Sequence, residues 1–308
     1  MTRSLLLAAL LLTACSTTSA GPAPEVVAPE VSAPAADMPS AEDPRDRRQR
    51  LLRLEHACDQ WYAAWMQQEF SRMASLEMLL REATSKDFGA VVMDLRSGSP
   101  RHKRVMAAAL GFSARAEAVP ALMGALEEQY YEIVLHSLLS LYHLCDPRGG
   151  EAAKAAIAQI DPERIVSYLA HPRPEVRSNA ALVLSRLVGP TTGKPVLLAL
   201  MALSEDTEPR VRVHAVAALA ATRAPEIYPQ LVKALTDSFE LVRIRAALGL
   251  ARLNNAEAAP YLIDLLTKSG EAAMVKQAVA RALSVLLRAP GDFSQDAEHW
   301  RALLRAAK

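Results

Sequence analysis

The segment DTEPRVRVHAVAALAAT at residues 206–222 returns, thirty-one residues later, as DSFELVRIRAALGLARL at 237–253. Each copy sets an acid five residues ahead of a Val-Arg pair and follows the pair with an Ala/Leu run. Recurrence at an interval of about 20–50 residues marks a chain that stacks one supersecondary unit on the next. The repetition therefore constrains the fold before any single residue does.

With the Val of Val-Arg as position zero, the pattern is apolar at 0, Arg or Lys at +1, small residues near +4 and +5, and Leu at +8. Clear copies run Val176-Arg177 to Leu184, Val211-Arg212 to Leu219 and Val242-Arg243 to Leu250. Val275-Lys276 to Leu283 is looser, and His102-Lys103 to Leu110 and Ile133-Val134 to Leu141 match only in the apolar and small positions. Successive zero positions are 31, 43, 35, 31 and 33 residues apart.

Each unit has a second half opened by a proline: Pro120, Pro195, Pro229 and Pro260 each precede an apolar run. Proline suits the first turn of a helix, where its missing N–H has no partner in any case. Apolar residues at Val242, Ala246, Leu250 and Leu253 fall on one stripe of a 3.6-residue helix. Each unit thus reads as two helices. The long step of 43 residues contains Pro162, 14 residues before Val176 much as Pro229 stands 13 before Val242, with Asp161 as expected N-cap. The surplus is 146–160, DPRGGEAAKAAIAQI, an inserted short helix of the kind that serves binding in solenoids.

These units resemble HEAT repeats, in particular the short HEAT-like repeats also found in bilin lyases. The resemblance implies an all-α solenoid of about six stacked antiparallel helix pairs over 96–290. It also implies a ladder of side chains between neighbouring repeats, built from the Asp that stands six residues before an Arg: Asp206 with Arg212 and Asp237 with Arg243, with Arg177 in the same column. His171 and Gly270 replace the Asp in two units, where the ladder is expected to lapse. Solenoids need covered ends. Residues 46–95 read as an N-terminal cap of two helices with Trp61, Tyr62, Trp65, Phe70, Leu76, Leu79 and Leu80, and 291–308 as a C-terminal cap with Trp300, Leu303 and Leu304.

The N-terminus opens MTRSLLLAALLLTACST, with Arg3, an apolar run from Leu5 to Leu12, then Cys15. That is a signal-peptide pattern, too short to span a hydrocarbon core of about 30 Å. Leu12-Thr13-Ala14-Cys15 resembles the bacterial lipobox, which implies cleavage after residue 14 and a diacylglycerol on Cys15; two chains anchor stably where one does not. Ser16, rather than Asp, after the cysteine implies the outer membrane, on its periplasmic side, over the inner. Residues 15–45 are rich in Pro and Ala, hold no aromatic residue before position 45, and form a tether.

Evidence for chemistry is sparse. Gly189–Lys194 has three residues between its glycines where a phosphate-binding loop has four, and Pro195 follows the lysine. His136 and His143 are seven apart, with too few converging partners for a metal. Cys58 and Cys145 could pair in an oxidising compartment or remain buried thiols. Trp61, Tyr62 and Trp65 could be cap core or a partner-binding patch, since aromatic residues dominate interface energetics. Net charge is +1, and the Arg column is matched by acids, so no nucleic-acid groove is expected.

The expectation is a non-enzymatic, membrane-anchored scaffold that binds another envelope protein, with no cofactor, metal or small-molecule substrate. A chromophore or cofactor lyase and a cell-wall-binding structural lipoprotein are the alternatives. Functional residues are expected where the copies differ, at exposed helix positions and in 146–160.

Overall fold

The computed structural model describes residues 43–306; the signal peptide, Cys15 and nearly all of the tether lie outside them. Among the described residues the regular elements are sixteen α-helices and short 3-10 turns, with no strand. Contacts divide the chain after Lys86.

The first unit holds α1 (Pro44–Met66) and α2 (Phe70–Lys86), which pack on each other. Asp43 caps α1 by accepting from the Arg45 N–H at 2.8 Å, and Pro44 fills the first turn. Leu51, Leu54, Cys58 and Trp61 form the buried stripe of α1 at intervals of three and four residues.

The second unit runs from Asp87. Its helices are α3 (Phe88–Ser97), α4 (Pro100–Leu110), α5 (Val119–Ala125), α6 (Tyr131–Leu144), α7 (Glu151–Ile157), α8 (Pro162–Val166), α9 (Pro174–Leu187), α10 (Lys194–Leu203), α11 (Pro209–Thr222), α12 (Tyr228–Ala234), α13 (Glu240–Leu253), α14 (Ala259–Thr267), α15 (Ala273–Leu286) and α16 (Ala297–Ala306). Six packed pairs follow: α3/α4, α5/α6, α8/α9, α10/α11, α12/α13 and α14/α15. The second members, α4, α6, α9, α11, α13 and α15, each pack on the next and make a continuous layer.

Residues 46–95 hold three helices, not the two expected. Asp87 leaves helical geometry (φ −112°, ψ 27°), so the chain breaks there, and α3 becomes the first partner of α4. The stack thus begins near residue 88 rather than 96.

All six zero positions fall on this layer, and the Leu at +8 is fully buried in each: Leu110, Leu141, Leu184, Leu219, Leu250 and Leu283. A fully buried leucine contributes about 1.5–3 kcal/mol, so this column alone is a main source of cohesion. The small residues set the spacing. A Cβ on Gly249 would come within 2.9 Å of Ala220 Cβ and 3.1 Å of Leu231, and one on Gly111 within 2.6 Å of Ser140 Oγ. Ser140 uses that closeness to donate to the Ala107 carbonyl at 2.5 Å, joining α6 to α4.

Pro120, Pro162, Pro195, Pro229 and Pro260 all lie in first turns, and Asp161 accepts from the Glu163 N–H at 3.0 Å. The 146–160 insertion forms a 3-10 turn and α7, which rests on α6. At the far end α16 packs on α14, with Trp300 fully buried and its Nε1 donating to the Ser294 carbonyl at 2.7 Å.

Candidate functional site

Two edges of the layer carry rows of polar side chains, and the first is the ladder. Arg177 donates from Nε and Nη2 to Asp206 at 2.8 and 2.9 Å, and Arg212 does the same to Asp237 at 2.7 and 2.8 Å. Arg243 takes Glu271 at 2.5 Å. The carboxylate of Asp206 therefore serves the arginine of the preceding repeat, not Arg212 six residues later. Arg212 instead holds the Asp206 backbone carbonyl at 2.9 Å. Arg177 and Arg243 likewise grip the carbonyls of His171 and Asp237 in their own loops at 2.9 and 2.7 Å.

Each acid also fixes its own loop. Asp206 accepts from the Glu208 N–H, Asp237 from the Phe239 N–H and Glu271 from the Ala272 N–H, at 2.8 to 2.9 Å. Burial raises the carboxyl pKa of Asp206, Asp237 and Glu271. The hydrogen bonds and charges of the facing arginines outweigh it, so all three lie below the usual range.

The ladder does not lapse at Gly270, because Glu271, one residue on, supplies the carboxylate. A further rung was not foreseen: Lys103, at +1 of α4, meets Glu128 at 2.6 Å. Glu128 stands five residues before Ile133, the register that Asp206 holds to Val211. Counting acids back from the zero position would have found it. The rung between α6 and α9 is absent from this register, since Val134 replaces the basic residue and His171 the acid; there Arg173 stacks over the Tyr131 ring at 4.6 Å instead.

The second edge is a face of the same layer, read at +3: His136, Asn179, His214 and Arg245 on α6, α9, α11 and α13. Asn179 donates to the Leu135 carbonyl of α6 at 3.2 Å. Arg186 of α9 donates to the Tyr142 hydroxyl at 2.9 Å, covers its ring at 4.6 Å, and lies 3.6 Å from Asp146 in the insertion.

Burial holds the histidines of this face neutral: His136 is pushed down to about 4 and His214 to about 3. His143, on the same helix as His136, sits at about 4 with its ring 5.2 Å from Phe112. Among the described residues no three His, Cys, Asp or Glu side chains are grouped to hold a metal ion.

Trp61, Tyr62 and Trp65 do form one aromatic group on α1, with ring centroids 5.4 to 6.3 Å apart. Trp61 is only 3% exposed and donates to Glu77 at 3.2 Å, so the reachable edges are those of Tyr62 and Trp65. Cys58 and Cys145 are both buried, on α1 and just after α6, and burial pushes Cys145 up to about 12. The Gly189–Lys194 segment closes on itself, Thr192 Oγ1 bonding both the N–H and the carbonyl of Gly189.

Residues 195–284 match the family of HEAT repeats. Among solved structures, the Escherichia coli protein YibA is similar over 88% of this chain and 99% of its own, at 15% identity and a TM-score of 0.53. An engineered protein is similar over 65% of this chain and 98% of its own, at 21% identity and a TM-score of 0.51. The complex of CpcE and CpcF of phycocyanin lyase from Nostoc sp. PCC7120 overlaps 91% of this chain at 20% identity, but at a TM-score of 0.39 the overlap carries no argument. No curated protein matches the sequence. The chain is an all-helical, HEAT-like repeat protein.

Proposed function

We propose that this protein is a lipid-anchored, non-enzymatic scaffold of the bacterial cell envelope whose stacked repeats bind another protein. The observation that carries the reading is the stacked layer: four successive repeats set different polar side chains, His136, Asn179, His214 and Arg245, at one register, which suits recognition of an extended partner. Among the described residues its charged and polar groups are spread along the layer, and no three His, Cys, Asp or Glu side chains form a ligand set. Cys15 carries the anchor, 15–45 is the tether, and the outer membrane, on its periplasmic side, is the destination. Tyr62 and Trp65 offer a second contact.

Intact mass of the membrane-extracted protein tests the anchor. A chain that begins at Cys15 with the added mass of acyl chains is expected; residues 1–14 still attached to an unmodified cysteine would overturn it. Cross-linking in cells with identification by mass spectrometry tests the scaffold, with cross-links from the repeat layer to one envelope protein expected. A coloured or metal ligand retained through purification would count for an enzyme instead.

A further inference from the structure

The start of α1 concentrates positive charge as no other stretch of this balanced chain does. Residues 45–53 hold five arginines against the single acid Asp46, in a protein whose net charge is +1. Arg45, Arg48, Leu52 and Arg53 stand at 0, +3, +7 and +8, one face of the helix. That face is open: all four side chains are exposed, Leu52 at 46%. Arg45 and Arg48 meet no carboxylate among the described residues. The buried stripe of α1, with Leu51 and Leu54, lies on the opposite side, against α2.

Helix stability does not account for these arginines. Arg45, Arg47 and Arg48 lie within the first five residues of α1, where the positive end of the helix dipole disfavours cations. A helix face that mixes exposed cations with an exposed leucine suits an anionic lipid surface, which takes the charges at its headgroups and the apolar side chain just beneath them. The position in the chain suits it too. Only 27 residues separate Cys15 from Asp43, a reach of at most about 90 Å. A lipid on Cys15 therefore keeps this face close to the bilayer, and a weak surface contact becomes an intramolecular one.

The acids of that intervening segment, Glu25, Glu30, Asp37 and Glu42, are a poorer match. An extended chain laid along the helix sets them about 15 to 22 Å apart at about 3.1 Å per residue. Arg45 to Arg53 occupy only about 12 Å of helix, at about 1.5 Å per residue. Such a chain brings one acid at a time to the arginines, whereas headgroups move laterally and gather at each.

We propose that the face of α1 formed by Arg45, Arg48, Leu52 and Arg53 docks on the anionic phospholipid headgroups of the membrane that carries the Cys15 anchor. The choice of occupant rests on the anchor reading.

The test uses the chain from residue 15 to its end with Cys15→Ser, which carries no acyl chains, so that vesicle binding reports the protein surface alone. It is expected to sediment with vesicles of phosphatidylglycerol and phosphatidylcholine mixed one to two, at about 0.02 M salt, and not with phosphatidylcholine vesicles. Each arginine near such a surface contributes about fivefold. Arg45→Gln, Arg48→Gln and Arg53→Gln combined should therefore weaken binding at least about tenfold. Arg252→Gln, Arg281→Gln and Arg288→Gln combined, three exposed arginines of the repeats, should leave it unchanged. Salt needs no folded variant: about 1 M should release the native surface. Equal binding to the two kinds of vesicle, equal binding by the native and α1 variant proteins, or binding that salt does not weaken would overturn the proposal. Binding that appears only after residues 16–42 are removed would assign the face to that acidic segment and also overturn it. If no vesicle binds while intact mass shows an acylated Cys15 in cells, the headgroup assignment falls and the anchor reading stands.

Discussion

Arg212 closes on Asp237 through two parallel hydrogen bonds of 2.7 and 2.8 Å across the junction of two repeats, while its remaining nitrogen holds the Asp206 carbonyl at 2.9 Å. One guanidinium thus fixes both the loop it belongs to and the repeat that follows. The side chains are 14% and 13% exposed, so the pair works partly out of water. Removing one partner leaves the other charge desolvated and alone, which is worse than never having had the pair.

Asp237→Ala should therefore destabilise the protein by about 3 kcal/mol, read as a lower urea midpoint. Glu205→Gln is the control. It breaks the Lys233 pair at 2.6 Å, but those side chains are 67% and 50% exposed, and the cost should stay under about 1 kcal/mol. Equal losses in the two variants would show that the ladder is no more than surface charge.

Close approach between repeats predicts a second outcome. Gly249→Val places a branched side chain where even a Cβ meets Ala220 and Leu231 at 2.9 and 3.1 Å. Overpacking of this kind costs about 1–3 kcal/mol. Gly124→Val in α5, whose Cβ would meet nothing within 4 Å, should fall well short of that. A Gly249→Val protein with an unchanged urea midpoint would mean that α13 can move away from α11.

The repeat architecture was legible because it rests on period and small-residue spacing, which sequence carries directly. The +8 leucines and the helix-opening prolines stand where the pattern put them. The ladder acids were legible as residues but not as pairs. A spacing of six within one repeat hides the fact that the carboxylate faces backward, toward Arg177, and that Glu271 can serve from one residue further on. The boundary at Lys86 was missed because Asp87 breaks the helix without a proline or glycine to mark it.

Helix ends offer a stabilising substitution. α11 terminates at Arg223 with φ 55°, a left-handed conformation in which any Cβ crowds the following carbonyl, at a cost of about 1–2 kcal/mol. At the equivalent end of α13 stands Asn254 (φ 53°), a residue that tolerates this geometry. Arg223→Gly should raise stability by up to about 1 kcal/mol, since glycine relieves the strain and loses some of the gain to its freer unfolded chain. A drop in melting temperature would show that the Arg223 side chain contributes more than the conformation costs.

The buried histidines set the last prediction, a loss of stability in mild acid. Burial lowers His214 to about 3, and His136 and His143 to about 4, against a usual value of 6.5. Below pH 6.5 the unfolded chain therefore binds protons that the folded chain refuses. Their contribution is complete above pH 6.5 and is lost as pH falls toward 4, at up to about 1.4 kcal/mol per pH unit for each histidine. The ladder acids act in the same direction but lower down, because their depressed pKa values are felt only below the usual carboxylate range near 4. The melting temperature should fall steeply between pH 7 and pH 5, and His214→Gln should flatten that slope by about a third. A melting temperature that stays level from pH 7 to pH 5 would mean that these rings are reached by water or by an acid.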